Sequence, residues 1–336
     1  MRMKILVDTL GGDNAPLAVL EGASIALSKK SDLSLVLVGK ESENKEKMAK
    51  LGADFSRLEF IEAKEAVLNT DHPAMFLRQK PESSLAVAFE ALRKREDLNG
   101  MISAGPTGAI LTGAVLRLGK IKGIERPALL ATLPTKNGSS VRLIDSGANM
   151  DCKPEYLYQF ALMAATYLEC IGYRNPRVSL LNVGSEEGKG DDLSKASFAL
   201  LKNSSLNFLG NIEGDHVLDG TTDIVTCDGF AGNVFLKGSE GAFYFMKDLM
   251  KNAVSGTPFR KIGAIFQLKG IKDAMKPFAL AKKSCAPLLG TKKLVVKTHG
   301  KSDAETFAGT ILETASLAEK KLIEKIEAAL PTQTAE

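Results

Sequence analysis

Short runs of β-branched and leucine residues, each closed by a turn rich in Gly and Asp and followed by a longer segment with helical spacing, recur along most of this 336-residue chain. No other feature restricts the fold as tightly, because a hydrophobic period that switches repeatedly between two and 3.6 is that of strands alternating with crossover helices. Met3–Val7 reads as a strand, Gly11–Asn14 as a loop, and Pro16 as the first residue of a helix carrying Ala18–Leu27. Leu33–Val38 is the next strand. Gly100–Ser103 leads into the loop Ala104–Gly108 and a helix over Ala109–Leu118; Val141–Ile144 leads into Asp145–Asn149, and Pro154 opens a helix through Leu168. Arg177–Val183 leads into Gly184–Asp192 and a helix to Lys202, and Thr222–Cys227 into Asp228–Gly232 and a further helix. Such repetition predicts an α/β fold: a mostly parallel sheet covered by helices on both faces, in a three-layer α/β/α, Rossmann-like arrangement. No repeat, low-complexity stretch or linker interrupts it, so residues 1–328 are expected to form one α/β unit with a frayed tail over 329–336.

Composition removes several classes of function. Hydrophobic residues at 44% and charged residues at 25% are ordinary globular usage, not that of a disordered chain. A formal charge of +4, 6% aromatics and no Trp leave neither the electrostatic footprint nor the stacking platforms of a nucleic-acid binder. Cys152, Cys170, Cys227 and Cys285 are scattered without a C-x-x-C pair, which fits a reducing compartment and gives no zinc site. Met1–Asp8 is a short strand ending in an acid rather than a signal peptide. The longest uncharged stretch, Asn99–Leu116, contains Pro106 and four glycines and falls short of the ~20 apolar residues of a membrane span. A soluble, cytoplasmic protein is expected.

In a parallel sheet the loops after the strands gather at one edge, where ligands bind. Here five such loops carry glycine and lead into helix starts: Asp8–Asn14, Ser103–Gly108, Asp145–Asn149, Gly184–Gly190 and Asp228–Asn233. Glycine is what any tight βα turn needs, but five in one sheet make an anion cradle of backbone N–H groups and helix dipoles. None is G-x-G-x-x-G or a Walker loop, so the predicted ligand is a phosphate without a nucleotide signature. Lys189, between Gly188 and Gly190, is placed to put a positive charge on a phosphate or a developing oxyanion, although a solvated loop lysine is the commoner case. Asn233 is either an N-cap, a substrate contact, or both. His72 and His216 read as solvated loop residues, while His299 lies at another strand exit, after Leu294–Val296. Asp8, Asp145 and Asp228 end strands as ordinary turn acids do, no His or Cys cluster has ligand spacing, and no metal or other cofactor is expected.

Taken together, Gly11-Gly-Asp-Asn-Ala-Pro, Leu181-Asn-Val-Gly-Ser-Glu-Glu-Gly-Lys-Gly, Asn211-Ile-Glu-Gly, Cys227-Asp-Gly-Phe-Ala-Gly-Asn, Ala286-Pro-Leu-Leu-Gly and His299-Gly closely resemble the phosphate acyltransferase family of bacterial phospholipid synthesis (PlsX), from Lys4 to about Leu317. The resemblance implies a homodimer with a fold like those of phosphate acetyltransferases and isocitrate dehydrogenases. It also implies the reaction: a long-chain acyl-[acyl carrier protein] and inorganic phosphate give acyl phosphate, which feeds a membrane-bound glycerol-3-phosphate acyltransferase. Carried over by position, Lys189 and Asn233 are the implied catalytic pair. Gly11, Gly12, Asp13, Thr107, Gly108, Asn149, Asp228 and His299 are the candidate frame for phosphate and substrate. Three positions depart from the family pattern: Pro106 stands where Asn is usual, Lys301 where Ser is usual, and Ser146 where Val is frequent.

The mild net charge hides a basic segment. Gly241–Lys283 holds nine Lys or Arg against two Asp, a net of +7, leaving −3 for the rest. Lys269, Lys272 and Lys276 fall on one helical face and Ile271, Met275 and Phe278 on another, after the apolar cluster Ile262, Ile265 and Phe266. That pattern suits a helix lying on an anionic membrane surface, a helix packed on the core or on a second subunit, or a dock for an acidic carrier protein. The family's peripheral association favours the membrane, with Ile262, Ile265, Phe266, Lys269, Ile271, Lys272 and Met275 as contacts on the inner face of the cell membrane. Competing readings are a short-chain phosphate acyltransferase using acetyl-CoA, a hydride-transferring dehydrogenase, which lacks its dinucleotide fingerprint, and a non-catalytic membrane adaptor of lipid synthesis.

Overall fold

The computed structural model describes residues 3–255, 270 and 285–330. Its elements run β1 (Met3–Asp8), α1 (Leu17–Lys29), β2 (Leu33–Gly39), α2 (Glu41–Lys50), β3 (Leu58–Glu62), α3 (Phe76–Gln79), α4 (Ser84–Lys94), β4 (Gly100–Ser103), α5 (Thr107–Gly113), β5 (Ala128–Leu129), β6 (Ala131–Pro134), β7 (Ser140–Ile144), α6 (Pro154–Cys170), β8 (Arg177–Asn182), α7 (Asp192–Lys202), β9 (Asn207–Glu213), β10 (Ile224–Thr226), α8 (Gly229–Ser255), β11 (Ala286–Leu289), β12 (Val295–Lys297), α9 (Ala304–Glu319) and α10 (Leu322–Ala329). The strands form two sheets, one of seven strands in the order β3-β2-β1-β4-β12-β11-β5 and one of five in the order β6-β7-β10-β8-β9. Pairing is parallel except where β11 meets β12 and β5 and where β6 meets β7.

Burial explains the layers. Every residue of β2 is buried, as expected of a strand covered on both faces. Along β1, Ile5 and Val7 join a core with Val19 of α1 and Phe307 and Ile311 of α9. Leu6, pointing the other way, packs with Leu85, Phe89 and Leu92 of α4. The second sheet repeats the scheme: Val178, Leu180 and Ile224 meet Leu157 and Phe160 of α6, while Val141, Leu143 and Val225 face the side on which Phe235 and Leu236 of α8 pack. Helix α6 shares its core with residues of both sheets, so the apolar interior is continuous.

The α/β/α class read from the sequence holds, with the strands divided between two sheets rather than joined in one. The division falls at Leu130, a fully buried residue between β5 of the first sheet and β6 of the second. Most anticipated elements lie within a residue or two of their observed limits. The helix expected over Ala109–Leu118 is α5 followed by one π-helical turn, Ala114–Leu118, and Pro16 precedes α1 rather than opening it. The segment 256–284 apart from Gly270, with every proposed membrane contact from Ile262 to Met275, lies outside the described residues, as does the tail from 331. Among the described residues no helix is long and apolar enough to cross a membrane.

Candidate active site

Two buried aspartates, one at a strand exit of each sheet, build the edge on which the site stands. Asp8 ends β1; its carboxylate accepts hydrogen bonds from Ser103 Oγ at 2.6 Å and from the Leu10 and Gly11 amides at 3.2 Å. Ser103 Oγ in turn accepts from the Gly105 amide at 3.0 Å, tying the β1 and β4 exits together. Asp145 follows β7 and is wholly buried. It accepts from the amides of Leu129 (3.0 Å), Gly147 (3.2 Å), Ala148 (3.0 Å) and Asn149 (2.6 Å), and from Asn149 Nδ2 (2.9 Å). Burial pushes both carboxyls above the usual carboxylate range, against the pull of these donors. Both face hydrogen-bond donors, the surroundings of a structural anchor.

Around Asp145 the chain makes two close approaches that only glycine allows. A Cβ on Gly232 would sit 1.9 Å from the Asp145 carbonyl oxygen, so Gly232 lets α8 cross directly over the β7 exit. Gly147, at φ +130°, would bring a Cβ to 2.5 Å from Asn233 Nδ2. Helix α8 starts at Gly229, and the Asp228 carboxylate accepts from the Ala231 amide at 2.8 Å, in the manner of an N-cap. Asp228, not Asn233, therefore has the capping role. Asn233 stands one turn further in and donates through Nδ2 to the Ser146 carbonyl at 3.1 Å.

Between the two sheets' loop edges lies a cleft. Gly12, Asp13, Pro106, Thr107, Lys297 and His299 line it from the first sheet, and Ser146, Gly147, Asn233, Lys237 and Glu240 from the second. Gly12 is pressed against Ala104 and the Gly300 carbonyl, and the Asp13 amide donates to that carbonyl at 2.7 Å, so the β1 and β12 exits are fixed to one another. Lys297 is the last residue of β12. Burial and the neighbouring Lys237 charge lower its pKa to about 8, against the opposing field of Glu240. Its Nζ donates to the Thr298 carbonyl at 3.1 Å, and Lys237 Nζ lies 2.8 Å from Glu240 Oε2. Lys237 and Lys297 thus bring two ammonium groups to the cleft beside Asn233, with Glu240 and Asp13 as the carboxylates of the same lining.

The structure thus gathers Gly12, Asp13, Thr107, Asn233 and His299 into one cleft. Gly11 lies just behind, against Asp8, and Gly108 packs on Pro73. Asn149 spends both amide hydrogens on Pro127 O and Asp145, which makes it part of the scaffold of the edge. Lys189 lies one strand exit away from Asn233, on the loop after β8; its side chain is half exposed, 3.8 Å from Glu186, and is not among those lining the cleft. Of the departures from the family pattern, Ser146 donates to the Leu129 carbonyl at 2.9 Å, Pro106 immediately precedes α5, and the Lys301 amide donates to His299 Nδ1 at 3.1 Å. Lys237, Glu240 and Lys297 were not singled out by sequence reasoning. The one available signal was a lysine closing the apolar run Leu294–Val296 two residues before His299.

The fold is of the α/β/α, Rossmann-like class, and among solved structures it is similar to that of phosphotransacetylases. The chain superposes on a phosphotransacetylase from Streptococcus pyogenes with a TM-score of 0.64 at 15% identity, covering 95% of this chain and 94% of that one. EutD phosphotransacetylase from Staphylococcus aureus gives a TM-score of 0.59 at 14% identity, with 94% of each chain covered. Residues 3–325 match the family described as fatty acid synthesis protein. The phosphate acyltransferase of Clostridium acetobutylicum is 40% identical over 325 residues, 96% of this chain and 98% of its own length. That of Clostridium perfringens strain SM101 is 42% identical over 326 residues, 96% of both chains. The chain belongs to the phosphate acyltransferase family, enzymes of fatty-acid and phospholipid synthesis.

Because five N–H donors converge on Asp145, Asp145→Asn turns one acceptor oxygen into a donor facing donors. Each buried donor left unpaired costs about 1–3 kcal/mol, so the variant should lose about 2–4 kcal/mol of stability in chemical denaturation. A loss under about 0.5 kcal/mol would contradict the anchoring role.

Proposed function

We propose that the chain transfers a long-chain acyl group from acyl-[acyl carrier protein] to inorganic phosphate, reversibly, in the cleft between its two sheets. The observation that carries this reading is that Lys237, Lys297, Thr107 and Asn233 line one cleft. A phosphate oxygen attacks the thioester carbonyl carbon, the C–S bond breaks, and the carrier thiol leaves; with a thiol pKa of ~8.5 no strong base is needed. The protein's task is to hold the anion against the carbonyl and to stabilise the tetrahedral oxyanion. Lys297 and Lys237 hold the phosphate. Asn233 has one Nδ2 hydrogen bound to Ser146 O, and the other is left for the carbonyl oxygen. Lys189, loosely paired at the neighbouring strand exit and outside the cleft lining, adds a positive field at that edge.

Hexadecanoyl-[acyl carrier protein] incubated with and without phosphate, with hydroxylamine trapping the product, tests this directly. Release of free carrier protein should require phosphate and yield the hydroxamate. Asn233→Ala should lose about 10²-fold or more in kcat, whereas Lys189→Ala, removing only a neighbouring positive field, should lose less. Lys297 carries its proton below its pKa of about 8 and loses it above, so the KM for phosphate should rise as pH increases through that value. In Lys297→Met that inflection should be absent. Activity with acetyl-CoA alone would move the chain to short-chain transfer, and inactivity with both donors would leave the adaptor reading.

Such a product, an apolar chain on a reactive phosphate, calls for delivery at a membrane to a glycerol-3-phosphate acyltransferase. The +7 charge of residues 241–283 and the exposed Phe245, Met246 and Leu249 of α8 support a peripheral contact there. Flotation with anionic vesicles should carry the protein at low salt and release much of it at high salt; no flotation at either salt would contradict the membrane contact.

A further inference from the structure

Beyond the charged cleft, α8 turns an apolar side towards β6. Leu236 and Phe243, seven residues and about two turns apart, line a groove with Leu133 of β6, Leu218 of the 3₁₀ turn Gly214–Asp219 and Tyr244. The groove shares Leu236, Glu240 and His299 with the cleft, so the two are continuous. Its one carboxylate, Glu240, stands at the shared end and is already paired with Lys237. Ser239 sits part-way along the wall. From Asn233 to Phe243 the helix advances about 15 Å. With carbon–carbon bonds of about 1.5 Å, an extended hydrocarbon covers that distance in about twelve carbons.

We infer that this groove between α8 and β6 holds the acyl chain of the donor, with the thioester carbon beside Asn233 and the chain running past Leu236 to Phe243. The inference rests on the acyl-transfer reading above and adds to it the subsite that selects chain length. Continuity with the cleft decides the occupant: a chain entering from the reacting carbonyl meets an apolar wall with no further charge to satisfy. Burial of successive methylenes then makes the enzyme prefer long donors.

The chain contains no Trp, so Phe243→Trp places a single reporter at the groove's end. Dodecyl phosphate should shift its emission to the blue, saturably, whereas inorganic phosphate and butyl phosphate should not. Adding Ser239→Phe, which fills the groove, should remove the shift. In turnover, Ser239→Phe should lower kcat/KM for the hexadecanoyl donor by about tenfold or more while changing that for a butanoyl donor by less than about twofold. An equal loss on both donors, or an emission that follows protein dilution instead of ligand, would overturn the assignment, the latter because a second copy would then be covering the groove. The fluorescence arm does not depend on turnover, so absence of phosphate-dependent release with an intact dodecyl phosphate shift would reject the reaction and keep the groove.

Discussion

The buried carboxylate of Asp145 and the backbone it gathers hold the two halves of the structure in register. Leu129 belongs to the first sheet and Asp145 follows a strand of the second, yet the Leu129 amide donates to Asp145 Oδ1 and Ser146 Oγ donates back to the Leu129 carbonyl. Asn149 adds a bond to Pro127 O. The chain changes sheets at Leu130, and this cluster fixes the geometry of the change. A carboxylate this deep is tolerable only because its lone pairs are met by N–H groups, and those N–H groups are a loop that would otherwise have no partners. The same loop presents Gly147 to Asn233, and the Asp145 carbonyl is the surface over which Gly232 lets α8 pass. Loss of the anchor would therefore displace the cleft wall as well as the sheet junction.

What the anchor positions is an electrostatic gradient along α8. At its start Asp228 caps the helix; one turn on, Asn233 offers an amide hydrogen; a turn later Lys237 meets Lys297 from the other sheet, with Glu240 moderating both. Beyond Glu240 the same side becomes apolar. A polarised carbonyl, a phosphate and a hydrocarbon tail each match one of those three environments. The depressed pKa of Lys297 is the cost of placing a second ammonium in a half-buried site, and a bound dianion relieves that cost.

Much of this was legible in the sequence, for physical reasons. Gly100–Ser103 and the start of α6 at Pro154 fall where patterning puts them, because a buried parallel strand is a short apolar run and Pro is preorganised for a first helical turn. Strands β5, of two residues, and β9, whose Asn207–Glu213 mixes polar residues with Gly210, gave no comparable signal. That Thr107, Asn233 and His299 share one edge was legible because strand exits can be recognised locally. Lys297 and Lys237 were not, since their meeting depends on the pairing of β12 with β4 and on the crossing of α8 over Asp145, neither of which is local. Asn149 and Asp228 sit at the right edge, but their side chains are committed to Pro127, Asp145 and Ala231.

The central claim is that the reacting anion binds between the two sheets. A crystal soaked in arsenate, a heavier isostere of phosphate, locates it by anomalous scattering. The account predicts a peak within hydrogen-bonding distance of Lys297 and Thr107 and close to Asn233 Nδ2. A peak only at the β8 exit beside Lys189, with the cleft unoccupied, would contradict it.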